Sequence, residues 1–237
     1  GQYYLLDRTS AWLVNSVIFQ CPTEKGKGVL VSPTADGNII VGPNAESGNM
    51  RDDVSTTKEG LDFVAQEAAK TTKKINYREN IRCFAGLRAN SDQKDFIIGE
   101  SPLVRHFINV AGIKSPGLSS AIAIGEFLVD ILGDCGLIMY PKQDWKYAKP
   151  HISFAKLSNE EKAEICRKNP KYGNVICRCN TITEGEILDA LNSNIKPRTL
   201  DGVKRRTGSG MGRCQGGFCG EKIHEILCKH YGLDPRE

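Results

Sequence analysis

The stretch FINVAGIKSPGLSSAIAIGEFLVDIL, residues 107–132, decides the fold of the first half of the chain. Phe107–Ala111 is a short apolar run, typical of a strand buried on both faces of a parallel sheet. A loop containing glycine follows, and a helix is predicted from about Leu118 to Leu132. Free N–H groups at the start of such a helix can stabilise an anion or a carbonyl oxygen. An ordinary connection between a strand and a helix would give the same pattern.

The residues upstream predict a mixture of strands and one helix. Asp36 and Gly37 separate two β-branched runs and indicate a hairpin, because glycine tolerates positive φ. Thr56 and Glu59 predict a capping box, which would start a helix that ends near Thr72. The predicted strands cover residues 28–32, 38–41, 80–87 and 95–99.

The composition changes after the second helix, and this change defines the predicted domains. Ser158 and Glu161 predict a capping box at the start of a short polar helix, and Thr183 and Glu186 predict another. Two more helices are predicted around Leu200–Val203 and Ile223–Leu227. The expected fold class is α+β, a mixed or antiparallel sheet with helices followed by a small all-α metal-binding domain. The predicted boundaries are a first domain over 1–140, a linker with a short helix over 141–173, and the all-α domain over 174–237.

Four of the nine cysteines form two close pairs near the C-terminus. They are the C-x-C pair Cys177 and Cys179 and the C-x4-C pair Cys214 and Cys219. Four thiolates brought together suit an iron–sulfur cluster or zinc. The glycines of GMGRCQGGFCG would let the backbone wrap around a metal centre and direct N–H groups at sulfur. C-x-C is unusual for structural zinc, so spacing favours the cluster and leaves zinc open.

The other candidate groups have plainer interpretations. Basic residues follow the first pair, and they either raise the reduction potential of an anionic cluster or form a solvated helix face; they are Lys204, Arg205, Arg206 and Arg213. The remaining cysteines are expected to be small buried or incidental side chains. The four histidines are expected to be structural or exposed, and no catalytic residue is predicted.

The segment ICRCNTITEGEILDAL … TLDGVKRRTGSGMGRCQGGFC resembles the small 2Fe–2S domain related to bacterioferritin-associated ferredoxin, over about residues 175–230. The four-residue spacing between Cys214 and Cys219 resembles the version fused to flavin-dependent glycerol-3-phosphate dehydrogenases. The resemblance implies that the four paired cysteines are the cluster ligands.

GLRANSDQKDFIIGES and the stretch over 107–132 resemble the C-terminal half of the FAD-dependent family that includes D-amino-acid oxidase, glycerol-3-phosphate dehydrogenase and L-2-hydroxyglutarate oxidase. The match spans about residues 1–133. The resemblance implies that one loop lies along the isoalloxazine ring: Gly112, Ile113, Lys114, Ser115, Pro116, Gly117 and Leu118. It also implies that Arg88 faces an anionic substrate group, for which an Arg fork is suited. A surface salt bridge is the alternative, and Ala89 stands where the family usually has proline.

No Rossmann G-x-G-x-x-G motif is present, so the adenine-binding half of a flavin site is expected upstream of Gly1. The chain also lacks an initiator methionine and a signal peptide, and we interpret it as a fragment that is inactive alone. No run of 18 or more apolar residues exists, and no transmembrane segment is expected. The net charge of +4 is too weak to indicate nucleic acid. Clustered cysteines without a secretory signal favour the cytoplasm.

These expectations combine into an FAD-dependent dehydrogenase that oxidises a small anionic hydroxy substrate and passes electrons to a 2Fe–2S cluster. Glycerol 3-phosphate is the first choice of substrate, and a 2-hydroxy acid such as 2-hydroxyglutarate is the second. The expected partners are the substrate and an electron-accepting subunit or carrier. The rival hypothesis is a non-catalytic binding module stabilised by zinc.

Overall fold

The computed structural model of the chain describes residues 1–22, 28–47, 50–145, 151–234 and 236. Its eight strands and six helices follow in chain order. The strands are β1 (Gln2–Leu6), β2 (Leu30–Pro33), β3 (Ile39–Gly42), β4 (Asn80–Ala85), β5 (Ile97–Glu100), β6 (Ile108–Ala111), β7 (Val175–Cys177) and β8 (Ile182–Thr183). The helices are α1 (Lys58–Thr71), α2 (Gly117–Asp134), α3 (Asn159–Lys168), α4 (Glu184–Leu191), α5 (Leu200–Thr207) and α6 (Gly220–Tyr231). Short 3₁₀ turns lie at Arg8–Leu13, Tyr77–Glu79, Phe154–Lys156 and Pro170–Gly173.

The described residues form two compact units. The first comprises Gly1–Tyr4 and the described parts of Trp12–Ile75 and Cys83–Tyr147. The second comprises Leu5–Ala11, Asn76–Arg82 and the described part of Ala148–Glu237. The predicted linker over 141–173 falls partly on 146–150, which lie outside the described residues. No helix in the described ranges has the length and apolar character needed to cross a bilayer.

The predicted hairpin is confirmed in the first unit. β2 and β3 pair antiparallel with Val31 opposite Val41, and Gly37 at the turn has a φ of 83°. The four-stranded sheet has the order β2-β3-β1-β4. α1 packs against this hairpin, and the buried side chains Val31, Ile39, Val41, Val64 and Ala68 form the core there.

The start of α1 differs from the prediction by one residue. Thr57, not Thr56, is the N-cap, and its hydroxyl accepts from the Gly60 N–H at 3.1 Å. The side chain of Gln2 brackets this cap: its Oε1 accepts from the Thr57 N–H at 2.8 Å, and its Nε2 donates to Thr57 Oγ1 at 3.2 Å. Gln2, which is distant in sequence, therefore accepts from the N-cap N–H, the role that Glu59 would have had in the predicted capping box.

β6 is not the buried parallel strand that its apolar sequence predicts. It pairs antiparallel with β5, with Ile98 opposite Val110. The two strands are joined by a short connection, which permits only the antiparallel arrangement. Phe107 and Val110 are 56% and 43% exposed. α2, which follows, has no buried residue among those described.

The C-terminal unit is not purely helical, so the expectation of an all-α domain is wrong. β7 and β8 form a small antiparallel pair, and Thr181 between them has a φ of 54°, a turn conformation. Both later capping boxes are confirmed, at Ser158 with Glu161 and at Thr183 with Glu186. α4, α5 and α6 surround a core whose members are Ile176, Cys177, Ile182, Ile187, Leu191, Val203, Cys219, Ile223 and Leu227.

Candidate metal centre and flavin loop

The first cysteine pair lies at the turn that follows β7. Cys177 is the last residue of β7 and is 1% exposed, packed in the core of the second unit. Cys179, two residues on, is exposed. The C-x-C spacing therefore divides the pair between the protein interior and the surface. The division arises because Cys179 lies beyond the end of β7, in the turn before β8, where the alternation of the strand no longer applies.

The second pair lies on the loop that joins α5 to α6. Cys219 is the residue immediately before α6 and is 1% exposed, whereas Cys214 is half-buried. Gly210 and Gly216 have φ values of 78° and 91°, which only glycine adopts easily. A Cβ placed on Gly212 would overlap the side chain of Cys179. The absence of a side chain at Gly212 therefore lets the second loop approach the first.

The four cysteines approach one another as two pairs, each of which takes one member from each motif. The Sγ atoms of Cys179 and Cys214 are 3.6 Å apart, and Cys177 lies near enough to Cys219 to help raise the pKa of its thiol. A single tetrahedral zinc with bonds of about 2.3 Å would hold all four sulfurs about 3.8 Å from one another. Among the described residues, however, no three cysteine sulfurs lie within 4.8 Å of one another. Two pairs fit a binuclear centre, in which each iron binds two thiolates.

Backbone N–H groups of the glycine-rich loop lower the pKa of Cys214 and oppose the rise in the pKa of Cys219. The pKa of Cys214 is lowered mainly by the N–H of Phe218, with contributions from Gly216 and Gly217, while burial opposes them. Burial and the neighbouring Cys177 raise the pKa of Cys219 to about 11. N–H groups that stabilise a thiolate also stabilise sulfur bound to a metal. The site therefore favours the thiolate of Cys214 and disfavours that of Cys219 in the absence of a metal.

Three of the four basic residues form part of a helix face, which is one of the two predicted roles. Arg205 pairs with Asp201 at 2.6 Å on the same helix, and Lys204 lies 3.7 Å from that carboxylate. Arg206 donates to backbone carbonyl oxygens, so all three belong to the face of α5. Arg213, beside Cys214 in sequence, pairs with Asp7 at 3.5 Å. Three of the four basic side chains therefore have partners of their own on the helix and its flank.

The predicted flavin loop joins β6 to the start of α2. Gly112 has a φ of 65°, and a Cβ there would meet Ser91 Oγ at 3.0 Å. The N-cap position of α2 is Pro116, which makes no side-chain capping hydrogen bond. The first N–H groups of α2 thus have no side-chain cap, and Leu118 is 94% exposed. An uncapped helix start is suited to an anion or a polarised carbonyl oxygen.

Arg88 lies in the loop after β4 and is exposed. The ion pairs formed within the described ranges do not include it. Its charge reaches the N-terminus of Gly1 and the ring of Tyr3, since it contributes to lowering the pKa of Gly1 and opposes the rise that burial causes in the pKa of Tyr3. Since none of the carboxylates in the described residues pairs with Arg88, they give no support to its alternative role in a surface salt bridge.

Two family models match the chain, and between them they cover both halves. The model described as FAD dependent oxidoreductase matches residues 1–131. The chain belongs to this family. The model described as BFD-like [2Fe-2S] binding domain matches residues 175–229 and includes all four paired cysteines. The cofactors associated with the chain are therefore FAD and a 2Fe–2S cluster.

Individual relatives agree with this membership. A glycerol 3-phosphate dehydrogenase of Caloramator mitchellensis is 48% identical over 238 residues, which cover 100% of this chain and 50% of the relative. A glycerol 3-phosphate oxidase of Mycoplasma genitalium is 36% identical over 134 residues, covering 56% of this chain and 35% of that protein. The chain thus spans half or less of the length of these relatives.

A solved structure of this family has the same fold over much of the chain. It is the dithionite-reduced L-alpha-glycerophosphate oxidase of Mycoplasma pneumoniae with FAD bound, similar with a TM-score of 0.57 and 33% identity. The similarity covers 64% of this chain and 40% of the oxidase chain.

A second cluster of possible metal ligands is formed by Glu100, His106 and Cys135. The sequence alone did not indicate it, because no short motif connects the three residues.

Proposed function

We propose that the chain is part of a dehydrogenase that oxidises glycerol 3-phosphate and passes the electrons through the 2Fe–2S centre to an accepting subunit or carrier. The observation that carries the proposal is the joining, in one chain, of a flavin-oxidoreductase half to a four-thiolate site. A relative named glycerol 3-phosphate dehydrogenase matches this combination along the whole chain. In such a combination, the flavin would take two electrons from the substrate and the cluster would pass them on one at a time.

The flavin half contributes binding and orientation. When bound, FAD supplies hydride acceptance and the cluster supplies single-electron transfer. The loop Gly112–Leu118 and the uncapped start of α2 would lie against the polar edge of the flavin ring and stabilise negative charge there. Arg88 would bind the anionic group of the substrate, because its guanidinium is exposed and presents a planar fork of donors.

The four cysteines contribute the cluster site. Cys177 with Cys219 would bind one iron, and Cys179 with Cys214 the other, in keeping with the proximity within each pair. Cys177 and Cys219 lie in the core, whereas Cys179 is exposed. One side of the centre therefore lies towards solvent, where an electron carrier can approach. The peptide N–H groups around Cys214 would stabilise the anionic sulfurs.

The test uses the complete protein, prepared without oxygen, with FAD and iron counted before the assay. Glycerol 3-phosphate should bleach the flavin absorbance and then produce the electron paramagnetic resonance signal of a reduced 2Fe–2S centre. Cys214→Ser should still allow the substrate to bleach the flavin, but the cluster signal and the reduction of a one-electron acceptor should be lost. Cys166→Ser, outside the two motifs, serves as the matched control and should behave as the parent does.

Two results would overturn the proposal. Bleaching of the flavin by 2-hydroxyglutarate and not by glycerol 3-phosphate would assign the enzyme to the 2-hydroxy acids. Zinc in place of iron and acid-labile sulfide, in protein grown with ample iron, would support the zinc-stabilised binding module. Because each result is read from a separate signal, the substrate and the metal are tested independently.

A further inference from the structure

A second group of metal-ligating side chains lies in the first unit and is made of Glu100, His106 and Cys135. One carboxylate oxygen, one imidazole nitrogen and the thiol sulfur all lie within 4.8 Å of one another. The three residues come from different elements: the end of β5, the connection to β6, and the position after α2. We propose that these three side chains bind a zinc ion, separately from the cluster and flavin sites.

Backbone hydrogen bonds position the groups, and one of them is accepted by the Glu100 carboxylate itself. The N–H of His106 donates to Glu100 Oε1 at 2.5 Å, so the backbone of His106 makes this contact and its ring remains available. His106 has a φ of 63°, uncommon for a residue other than glycine. Cys135 is fixed by its N–H bond to the Ile131 carbonyl oxygen at 2.9 Å. The Cys135 sulfur and a Glu100 carboxylate oxygen lie within 4.8 Å of each other, a separation that a bound metal ion could bridge.

The chemistry of the three donors selects the ion. Thiolate, imidazole and carboxylate together are typical of zinc, whereas calcium and magnesium prefer oxygen alone. Zinc bonds of about 2.0–2.3 Å place ligand atoms about 3.3–3.8 Å apart, so small side-chain rotations from the present separations suffice. On binding, Cys135 would release its thiol proton to solvent, and the two negative ligands would balance the charge of the ion.

Space for a fourth ligand lies beside the group. A surface cavity of about 340 Å³ is lined by His106, Ile108, Leu132, Cys135, Gly136 and Leu137. Its walls include two of the three proposed ligands, and Glu100 and His106 are exposed to solvent. Three protein ligands with one open position accepting water are a frequent zinc arrangement. Bound zinc would tie the β5–β6 hairpin to the end of α2.

The test titrates the complete protein, already loaded with its 2Fe–2S cluster, with zinc chloride in a calorimeter. We expect one additional zinc, with an affinity that falls by about 100-fold or more in His106→Ala and in Cys135→Ser, since loss of a ligand costs at least as much as loss of an outer partner. His151→Ala and Cys21→Ser change an exposed histidine and an exposed cysteine elsewhere and should leave the affinity unchanged. Unchanged flavin and cluster absorbance in all four variants checks that they fold.

The X-ray absorption spectrum at the zinc edge separates this site from the four cysteines. One sulfur and three nitrogen or oxygen neighbours support the proposal. Four sulfur neighbours, no zinc beyond the cluster, or equal losses in the control variants would each overturn it.

Discussion

The two cysteine loops come close together at Gly212, and this contact gives the first prediction at the scale of single residues. A Cβ at this position would lie 2.3 Å from the Cβ of Cys179, so one of the two loops would have to move. Gly212→Ala should therefore prevent assembly of the cluster, measured as iron and acid-labile sulfide per chain. Gly220→Ala is the matched control, because a Cβ there meets nothing within 4 Å and lies in the first turn of α6. Full iron content in Gly212→Ala would show that the loops are not held as closely as described.

Arg88 gives the second prediction at this scale. In the complete protein, Arg88→Ala should lower kcat/KM for glycerol 3-phosphate by about ten- to a hundredfold, the value of about 1.5–3 kcal/mol for a lost charge-assisted contact. Arg88→Lys should recover part of the loss, since it keeps the charge and lacks the planar fork. Steady-state kinetics with a bound flavin measure both. Kinetics equal to those of the parent in Arg88→Ala would remove Arg88 from the substrate site.

At the scale of elements, two capping boxes of the same design differ in burial and give the third prediction. Glu186 is 1% exposed and accepts from the N–H groups of Thr183 at 2.7 Å and Phe154 at 3.0 Å. Glu161 accepts from the Ser158 N–H at 2.7 Å on an exposed helix end. In Glu186→Gln, an amide NH2 group would face buried N–H groups that need an acceptor. The free energy of unfolding should therefore fall by about 1–3 kcal/mol. Glu161→Gln should change it by less than about 0.5 kcal/mol, because glutamine also completes a capping box.

Chemical denaturation of the cluster-loaded protein measures both free energies of unfolding. Equal effects of the two substitutions would mean that the contact between Glu186 and Phe154 contributes nothing beyond the cap itself. The comparison is informative because both changes replace one carboxylate oxygen by an amide nitrogen in the same residue type.

The same scale shows where local sequence signals suffice. The boxes at Ser158 and Thr183 were predictable because both partners lie within one helical turn. The cap at Thr57 was not, because the side chain of Gln2 makes the deciding hydrogen bonds. The antiparallel pairing of β6 was also missed, because an apolar run does not indicate which strand it will pair with.

At the scale of the whole molecule, the relation between this chain and its longer relatives gives the fourth prediction. α2 is apolar, and no described residue of it is buried, with Leu118 and Ile122 94% and 80% exposed. We expect the 237-residue chain alone to bind FAD more weakly than about 1 μM. Co-expression with the upstream half, defined by alignment with the Caloramator relative, should restore a bound flavin spectrum.

Fluorescence titration with FAD measures the affinity of each preparation. Submicromolar binding by the chain alone would contradict the view that the loop Gly112–Leu118 is one side of a larger site. As a control, the upstream half alone should not support reduction of the flavin by glycerol 3-phosphate, because Arg88 lies in the present chain.

The sequence by itself determined the features whose partners are near neighbours. The turn at Asp36–Gly37, two helix caps and the C-x-C and C-x4-C motifs depend on intervals of a few residues, so their spacing carries the information. The family resemblance added the two cofactors, FAD and the 2Fe–2S cluster, which the family models support.

Only the tertiary structure decided which of these groups meet. It pairs Cys177 with Cys219 and Cys179 with Cys214, a crossed arrangement that neither motif states. It adds the β7–β8 pair to a segment whose pattern predicts only helices. It also gathers Glu100, His106 and Cys135. The physical reason is that side chains distant in sequence meet through packing and strand pairing, and these depend on the whole core.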